Sequence, residues 1–267
     1  MRRSLAGLIL GLAAIFASLA ISGFWLQFTA FSPSRTPGAT QNVLRDDTIR
    51  NEIARVIAEA TAPTLGQNPA AIQKVVRAGA ATREGSELLE GVVADAHSRL
   101  IGNSSKPVVI TAEQMVPLVG NEVVATVADA IVDVPTVTAI STTRQVLKWL
   151  IPISGGLAVL LIALGFAAHP ERAELLRSIS FLLLGTALML VIIGYIVPAL
   201  ILPLTTKSPW VGVLPKVASH SLPRLLLVLL ILIVSGLGCL AASGATKRRD
   251  RWSSPVRTRY SEQRRWS

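Results

Sequence analysis

Four long stretches of this chain contain no Asp, Glu, Lys or Arg: Leu5 to Phe31, Trp149 to Ala168, Ile179 to Leu204 and Leu225 to Ala242. A bilayer core about 30 Å thick is crossed by about 20 apolar residues in a helix. No water is present there to pair with backbone N–H and C=O groups, so a lone apolar segment crosses as a helix. The four stretches therefore predict a mainly α membrane protein with four transmembrane helices. Composition agrees. The 267 residues are 51% hydrophobic and 16% charged, and a mean hydropathy of +0.54 is high for a water-soluble domain.

The first stretch has two readings. Arg2 and Arg3 make a charged start, and Ser18-Leu19-Ala20 resembles a small-residue cleavage site. The apolar run continues well past that site, however, and Trp25, Phe28 and Phe31 suit an aromatic anchor at the far interface. An uncleaved signal anchor is the better reading. Gly7 and Gly11 form a G-x-x-x-G that Ala14 and Ser18 extend, a spacing that lets helices approach closely and that scattered glycines explain equally well. Pro198 and Pro203 predict a kink or early end in the third span. No span carries an ionisable side chain at mid-depth, which argues against an autonomous ion-driven transporter.

Positive charge near span ends is retained in the cytoplasm. Arg2 and Arg3 precede the first span, Arg172 and Arg177 lie between the second and third, and Lys247, Arg248, Arg249 and Arg251 follow the fourth. The expected layout is a signal anchor (1–31), an extracytoplasmic domain (32–145), a three-helix transmembrane region (146–244) and a basic cytoplasmic tail (245–267). Both termini are then cytoplasmic, in a multi-pass protein of the cell membrane. Lys148, Lys207, Lys216 and Arg224 dissent from this orientation. Trp25, Trp149 and Trp210 are the expected membrane-interface residues.

The net charge of +10 is concentrated in the tail, where eight Lys and Arg follow Thr246. No nucleic-acid partner is expected. Interleaved with Trp252, Tyr260 and Trp266, the tail suits anionic lipid headgroups, at about 1 kcal/mol per basic residue near the surface. Cys239 is the only cysteine, so a disulfide framework within the chain is excluded.

Between the first two spans the pattern predicts a small, mostly helical α+β domain. "RDDTIRNEIARVIAEAT" places Ile49, Ile53, Val56, Ile57 and Ala60 on one face, with Asp46 or Asp47 as cap. Asn68-Pro69 opens a second helix to about Ala81. A third is expected from about Glu84 to Leu100, burying Leu88, Leu89, Val92, Val93, Ala96 and Leu100 and ending at Gly102. Val108 to Ile110 reads as a strand, Thr111 as the cap of a short helix that Pro117 interrupts, Asn121 to Val132 as a further helix, and Pro135 to Ser141 as a second strand. Ser141 or Thr142 then starts a helix that runs into the second span.

The segments "RDDTIRNEIARVIAEA", "ELLEGVVADAHSRLIG", "VVITAEQMVPLV" and "VPTVTAISTTRQVLKWLIPISGGLAVLLIALGFAAHPERAELLRSISFLLLGTALMLV" together resemble a family of actinobacterial integral membrane proteins. The resemblance covers most of Leu5 to Ala242. It implies a signal anchor, an extracytoplasmic domain and three further spans, and brings no catalytic residue with it.

Candidate chemistry is sparse. His169 and Glu171 have H-x-E spacing, but the deaminase pattern also needs a P-C-x-x-C that this chain lacks. A helix leaving one span and a short interfacial helix entering the next account for both residues. His97, between Asp95 and Arg99, is expected to be a partly exposed surface histidine, with an acid-base or metal role as the alternative. Glu84, Glu87 and Glu90 read as a solvated stripe. Serine-elbow, P-loop and H-E-x-x-H motifs are absent. "TTKSPWVGVLPKVASHSLP" is either an interfacial lid led by Trp210 or an ordinary packed loop. No cofactor or metal is expected. The resulting expectation is a non-enzymatic membrane protein of the cell envelope whose outer domain binds a partner or envelope component. The alternative is a transport accessory subunit or small oligomeric pore, with a membrane-protein partner or a second copy of the chain.

Overall fold

The computed structural model describes residues 2–168, 172–205 and 208–252. Four of its helices are long and apolar enough to cross a membrane: Gly7–Thr29, Thr138–Ala167, Glu174–Leu204 and Leu222–Thr246. By length and composition this is a multi-pass, mainly α membrane protein. The chain divides into two compact units. The first takes the described residues within Met1–Leu19, Ile153–Leu188 and Val228–Ser267; the second takes Ala20–Pro152 together with the described residues within Met189–Leu227.

The first unit is built from parts of three long helices, α1 (Arg2–Ala30), α8 (Thr138–Ala168) and α11 (Leu222–Trp252), with most of α9 (Arg172–Val191). Small residues set its close contacts. A Cβ on Gly165 would lie 2.4 Å from a Leu10 methyl, and one on Gly236 would lie 3.0 Å from Leu184. Ser180 donates to the Gly236 carbonyl at 2.7 Å. Thr186 spends its hydroxyl proton on the Leu182 carbonyl, so Ser18, 3.0 Å away, is the donor in their shared bond. Such bonds join apolar helices where hydrocarbon offers no competing partner. Gly7 and Gly11 are exposed, and among the described residues nothing lies within 4 Å of a Cβ built on either.

The second unit holds one hydrophobic core, running from Leu26 through Val43, Ile53, Ile57, Leu100, Ile110 and Met115 to Trp210 and Leu214. Two short 3-10 turns, Pro33–Arg35 and Pro37–Ala39, lead from α1 into α2 (Thr40–Leu44). Asp46 caps α3 (Asp47–Leu65) by accepting from the Thr48 amide, and Asn68 caps α4 (Pro69–Ala80), as their positions predict. Thr111 and Gln114 form a reciprocal capping box on α7 (Ala112–Val119), which continues through Pro117.

Three expectations are corrected. The helix expected over Glu84–Leu100 breaks at Leu89 into α5 (Arg83–Leu88) and α6 (Glu90–Leu100), and Leu88 is exposed. Thr82 caps the first piece, and Leu89, at φ −89° and ψ 3°, turns the chain so that Leu89 itself enters the core. The helix expected over Asn121–Val132 is a 3-10 turn, Glu122–Thr126, followed by a strand, β2 (Ala130–Val132). Val123, Val124, Thr126 and Val127 are β-branched and favour helix weakly. β2 pairs antiparallel with β1 (Val108–Ile110), setting Val108 opposite Val132 and Ile110 opposite Ala130. Pro135–Ser141, expected as the second strand, is not one: α8 begins within it, at Thr138.

The third span neither ends early at its prolines nor stays a regular α-helix. The α-helix gives way at Ile192 to a π-helical segment, Ile192–Ile201, that contains Pro198, and then to a 3-10 turn, Leu202–Thr205. Pro198 has no N–H, and its ring crowds the carbonyl one turn before it. The segment expected to be a loop after this span is helical too, with a 3-10 turn at Pro209–Gly212 and α10 (Val213–His220).

Two glycines are required by geometry. Gly102 has φ +68° and lies against Ser141, where a Cβ would approach to 2.7 Å. At Gly85 a Cβ would lie 2.1 Å from the Gly79 carbonyl oxygen, a backbone atom that cannot rotate away. Gly85→Ala is therefore expected to destabilise the protein by roughly 1–3 kcal/mol. Gly91→Ala, in open space on α6, should be neutral or stabilising by up to about 1 kcal/mol. Melting midpoints of the two variants in detergent check this; equal midpoints would contradict the packing at Gly85.

Candidate functional site

His97 is not a surface residue. It is fully buried in the second unit, at 0% exposure. The reason is visible in the helix register: Val93, Ala96, His97 and Leu100 recur at three- and four-residue intervals, so the imidazole shares the apolar face of α6. Its Nε2 lies 2.8 Å from the carbonyl of Ala30. A carbonyl only accepts, so Nε2 carries the proton, and Nδ1 accepts from the Thr36 hydroxyl. Ala30 is the last residue of α1, where carbonyls have no partner within the helix. His97 thus holds the exit of the first span, with both ring nitrogens engaged by protein groups.

Burial pushes the His97 pKa down to about 4, against the smaller opposing effect of the Ala30 carbonyl. Asp95 and Arg99 do not pair with each other. Arg99 instead donates to the carbonyls of Val134 at 2.7 Å, Ser105 at 3.1 Å and Lys106 at 2.7 Å, tying down the segment before β1. Among the described residues no three His, Cys, Asp or Glu side chains come together in a metal-ligating group.

A partly open cavity of about 200 Å³ lies in the second unit. Its walls are Trp25, Phe28 and Thr29 from the last turns of α1, Ser34, Arg35 and Gly38 from the 3-10 turns, Val217 and His220 from α10, then Ser221, and Arg224 from the first turn of α11. The Arg35 guanidinium stands 3.9 Å over the Phe28 ring, a cation–π contact. Phe28 stacks on Phe24 with ring centroids 5.9 Å apart. The Nε2 of His220 lies 3.4 Å from the position a Cβ would take on Gly38, and its Nδ1 is 3.5 Å from the Asn42 amide nitrogen. Trp25 packs on Gly194 of the π-helical segment, where a Cβ would come within 2.8 Å of the indole. No carboxylate lines the cavity, and among the described residues Arg35 and Arg224 make no ion pair.

The residues singled out from sequence fall in different places. Trp25 is a cavity wall, Trp149 is 65% exposed on α8, and Trp210 is buried at 1%. Trp210, Val211, Val213 and Leu214 all lie in the core of the second unit, so this segment is packed structure. Gly212 sits against Asp46 and Ile49, and Lys216 lies 3.8 Å from Asp46. Arg177 places its guanidinium 5.6 Å over Phe181. Arg2 and Arg3 begin α1, Arg172 begins α9, and Lys247, Arg248, Arg249 and Arg251 fall in the last turns of α11; their side chains are outside the described set. His169, Glu171 and the tail from 253 onward also lie outside the described residues. Glu84 and Glu87 are exposed, and Glu87 pairs with Arg83 at 2.9 Å.

Sequence reasoning missed the cavity. Phe28 was visible as an anchor and Arg224 as a charge that disobeys the orientation rule, but nothing in the chain's order joins them to Arg35 and His220.

The buried histidine makes stability depend on pH. In the unfolded chain His97 titrates near 6.5, and in the folded protein near 4. Between those values the unfolded state binds a proton that the folded state does not, so stability falls as pH drops from 6.5 to 4 and is fully present above 6.5. The loss across the window is about 3 kcal/mol. Melting midpoints over this range should fall more steeply for the natural protein than for His97→Gln; parallel slopes would refute the buried neutral imidazole.

No protein-family model matches this chain, and no curated protein or solved structure resembles it significantly.

Proposed function

We propose that this chain is a non-enzymatic, multi-pass membrane protein of the cell envelope, whose second compact unit faces the extracytoplasmic side and binds a partner protein or an envelope component. The observation that carries the reading is a folded unit with its own core, continuous in sequence with apolar helices, that presents an open cavity with cationic and aromatic walls. The side assignment rests on Arg2 and Arg3, Arg172 and Arg177, and the run Lys247, Arg248, Arg249 and Arg251, all placed where cytoplasmic retention is expected. The layout accords with the resemblance to actinobacterial membrane proteins. Anionic lipid headgroups suit the basic tail.

Two measurements test this together. A reporter that is active only outside the cytoplasm should stay silent when fused after Arg257, and its activity there would reverse the orientation. A photo-crosslinking residue at Val75 or Val123, both about half exposed on the second unit, should capture one envelope component in stoichiometric yield. Recovery of only self-crosslinked chains would favour the oligomeric-pore alternative.

A further inference from the structure

The geometry points to the cavity bounded by Trp25, Arg35, His220 and Arg224 as a binding site for the phosphate group of an anionic lipid, with the aromatic strip of the first span serving its apolar part. This deepens the proposed binding role by naming a ligand class. It rests on the chemistry of the cavity and not on which side of the membrane the unit faces.

The polar half of the argument is charge. Arg35 and Arg224, both exposed, line one cavity together with His220, and no carboxylate is among the lining residues. Charges of one sign gathered in a partly enclosed space repel one another, and an anion between them reverses the sign of that energy. Guanidinium groups present a planar fork of donors that matches a phosphate bidentately. Several other cations of this unit have acids beside them: Arg50 and Arg77 share Asp47, Arg55 lies between Glu52 and Glu59, and Lys216 is near Asp46. Arg99 and Arg144, which also lack an ion pair, spend their donors on the carbonyls of Val134, Ser105 and Lys106 and on the Asn103 side-chain oxygen, whereas Arg35 and Arg224 line one cavity without a carboxylate.

The apolar half is position. Trp25, Phe28 and Thr29 close the apolar stretch Gly7–Thr29, and Arg224 lies near the start of Leu222–Thr246. The cavity is therefore built where two apolar helices meet polar chain, the level at which headgroups lie. Phe24 and Phe28 are one turn apart on one helix face, 57% and 38% exposed, and lead from Arg35 into the apolar run. A free inorganic anion would have no use for this strip, whereas an amphiphile uses both halves. A volume of about 200 Å³ has room for about six waters, enough for a headgroup and too little for acyl chains, which must then lie outside along the aromatic strip. Gly38 and Gly194 leave the space in which His220 and Trp25 stand.

The full-length protein in detergent, titrated with dioleoyl phosphatidylglycerol and with dioleoyl phosphatidylcholine under native mass spectrometry, tests the site. The anionic lipid is expected to bind about tenfold or more tightly than the zwitterionic one. Arg35→Gln combined with Arg224→Gln should lose about tenfold or more in affinity for it, the scale of one or two charge-assisted hydrogen bonds. Arg264→Gln with Arg265→Gln, which removes the same charge from the tail, should lose much less at the tight site. Arg35→Lys with Arg224→Lys keeps the charge and should recover part of the binding, and an unchanged melting midpoint of each variant keeps the comparison sound. Equal losses in the cavity and tail variants, or unchanged binding in the cavity variant, would overturn the site. Inorganic phosphate binding as tightly as the lipid, with the same dependence on Arg35 and Arg224, would assign the cavity to a free anion and overturn the amphiphile.

Discussion

Backbone polar groups that leave an apolar helix without a partner must find one, and the exit of the first span shows how this chain does so. The last carbonyl of α1, at Ala30, would be an unsatisfied acceptor beneath a packed core. The imidazole of His97 donates to it and at the same time accepts from Thr36, so one side chain on α6 fixes both the end of the span and the first 3-10 turn after it. The arrangement works only with a neutral imidazole in one tautomer, and burial keeps it neutral. The placement of Arg35, one residue before Thr36, follows from this clamp.

The same economy of position is seen at the other edge of the cavity. Pro198 disturbs the third helix enough to produce a π-helical segment, and within it Gly194 provides the hollow against which Trp25 packs. Departures of this kind inside a long helix frequently accompany sites of function. Trp210 and its neighbours fill the core beneath α10 and so hold His220 and Val217 at the cavity wall. A tryptophan that reads as an interfacial residue thereby acts as a packing element, because the helix that follows it has an apolar face of its own in Val213, Leu214 and Val217.

Much of the fold was legible in order and spacing. The four apolar runs, the caps at Asp46, Asn68 and Thr111, and the proline-induced disturbance of the third span all arise from interactions within a few residues, which is what a sequence displays. The errors occur where a distant partner decides. Ala130–Val132 is a strand because Val108–Ile110 offers it a ladder, whereas Pro135–Ser141 makes no ladder and α8 begins within it. His97 stands between the charged Asp95 and Arg99 in sequence, but the stripe of Val93, Ala96 and Leu100 carries it inward. For the cavity almost nothing was legible beyond its aromatic residues.

By itself the sequence determined that the chain is apolar enough to cross a bilayer four times, that most of it is helical, and that its strongest positive charge lies at its end, since hydropathy, helical periodicity and net charge are sums over neighbouring residues. Only the tertiary structure decided that His97 is buried, that Trp210 belongs to a core, and that Arg35 and Arg224 stand at one cavity without an acid beside them. Those facts depend on which surfaces meet, and a cation's partner, or its lack of one, is a property of the space around it.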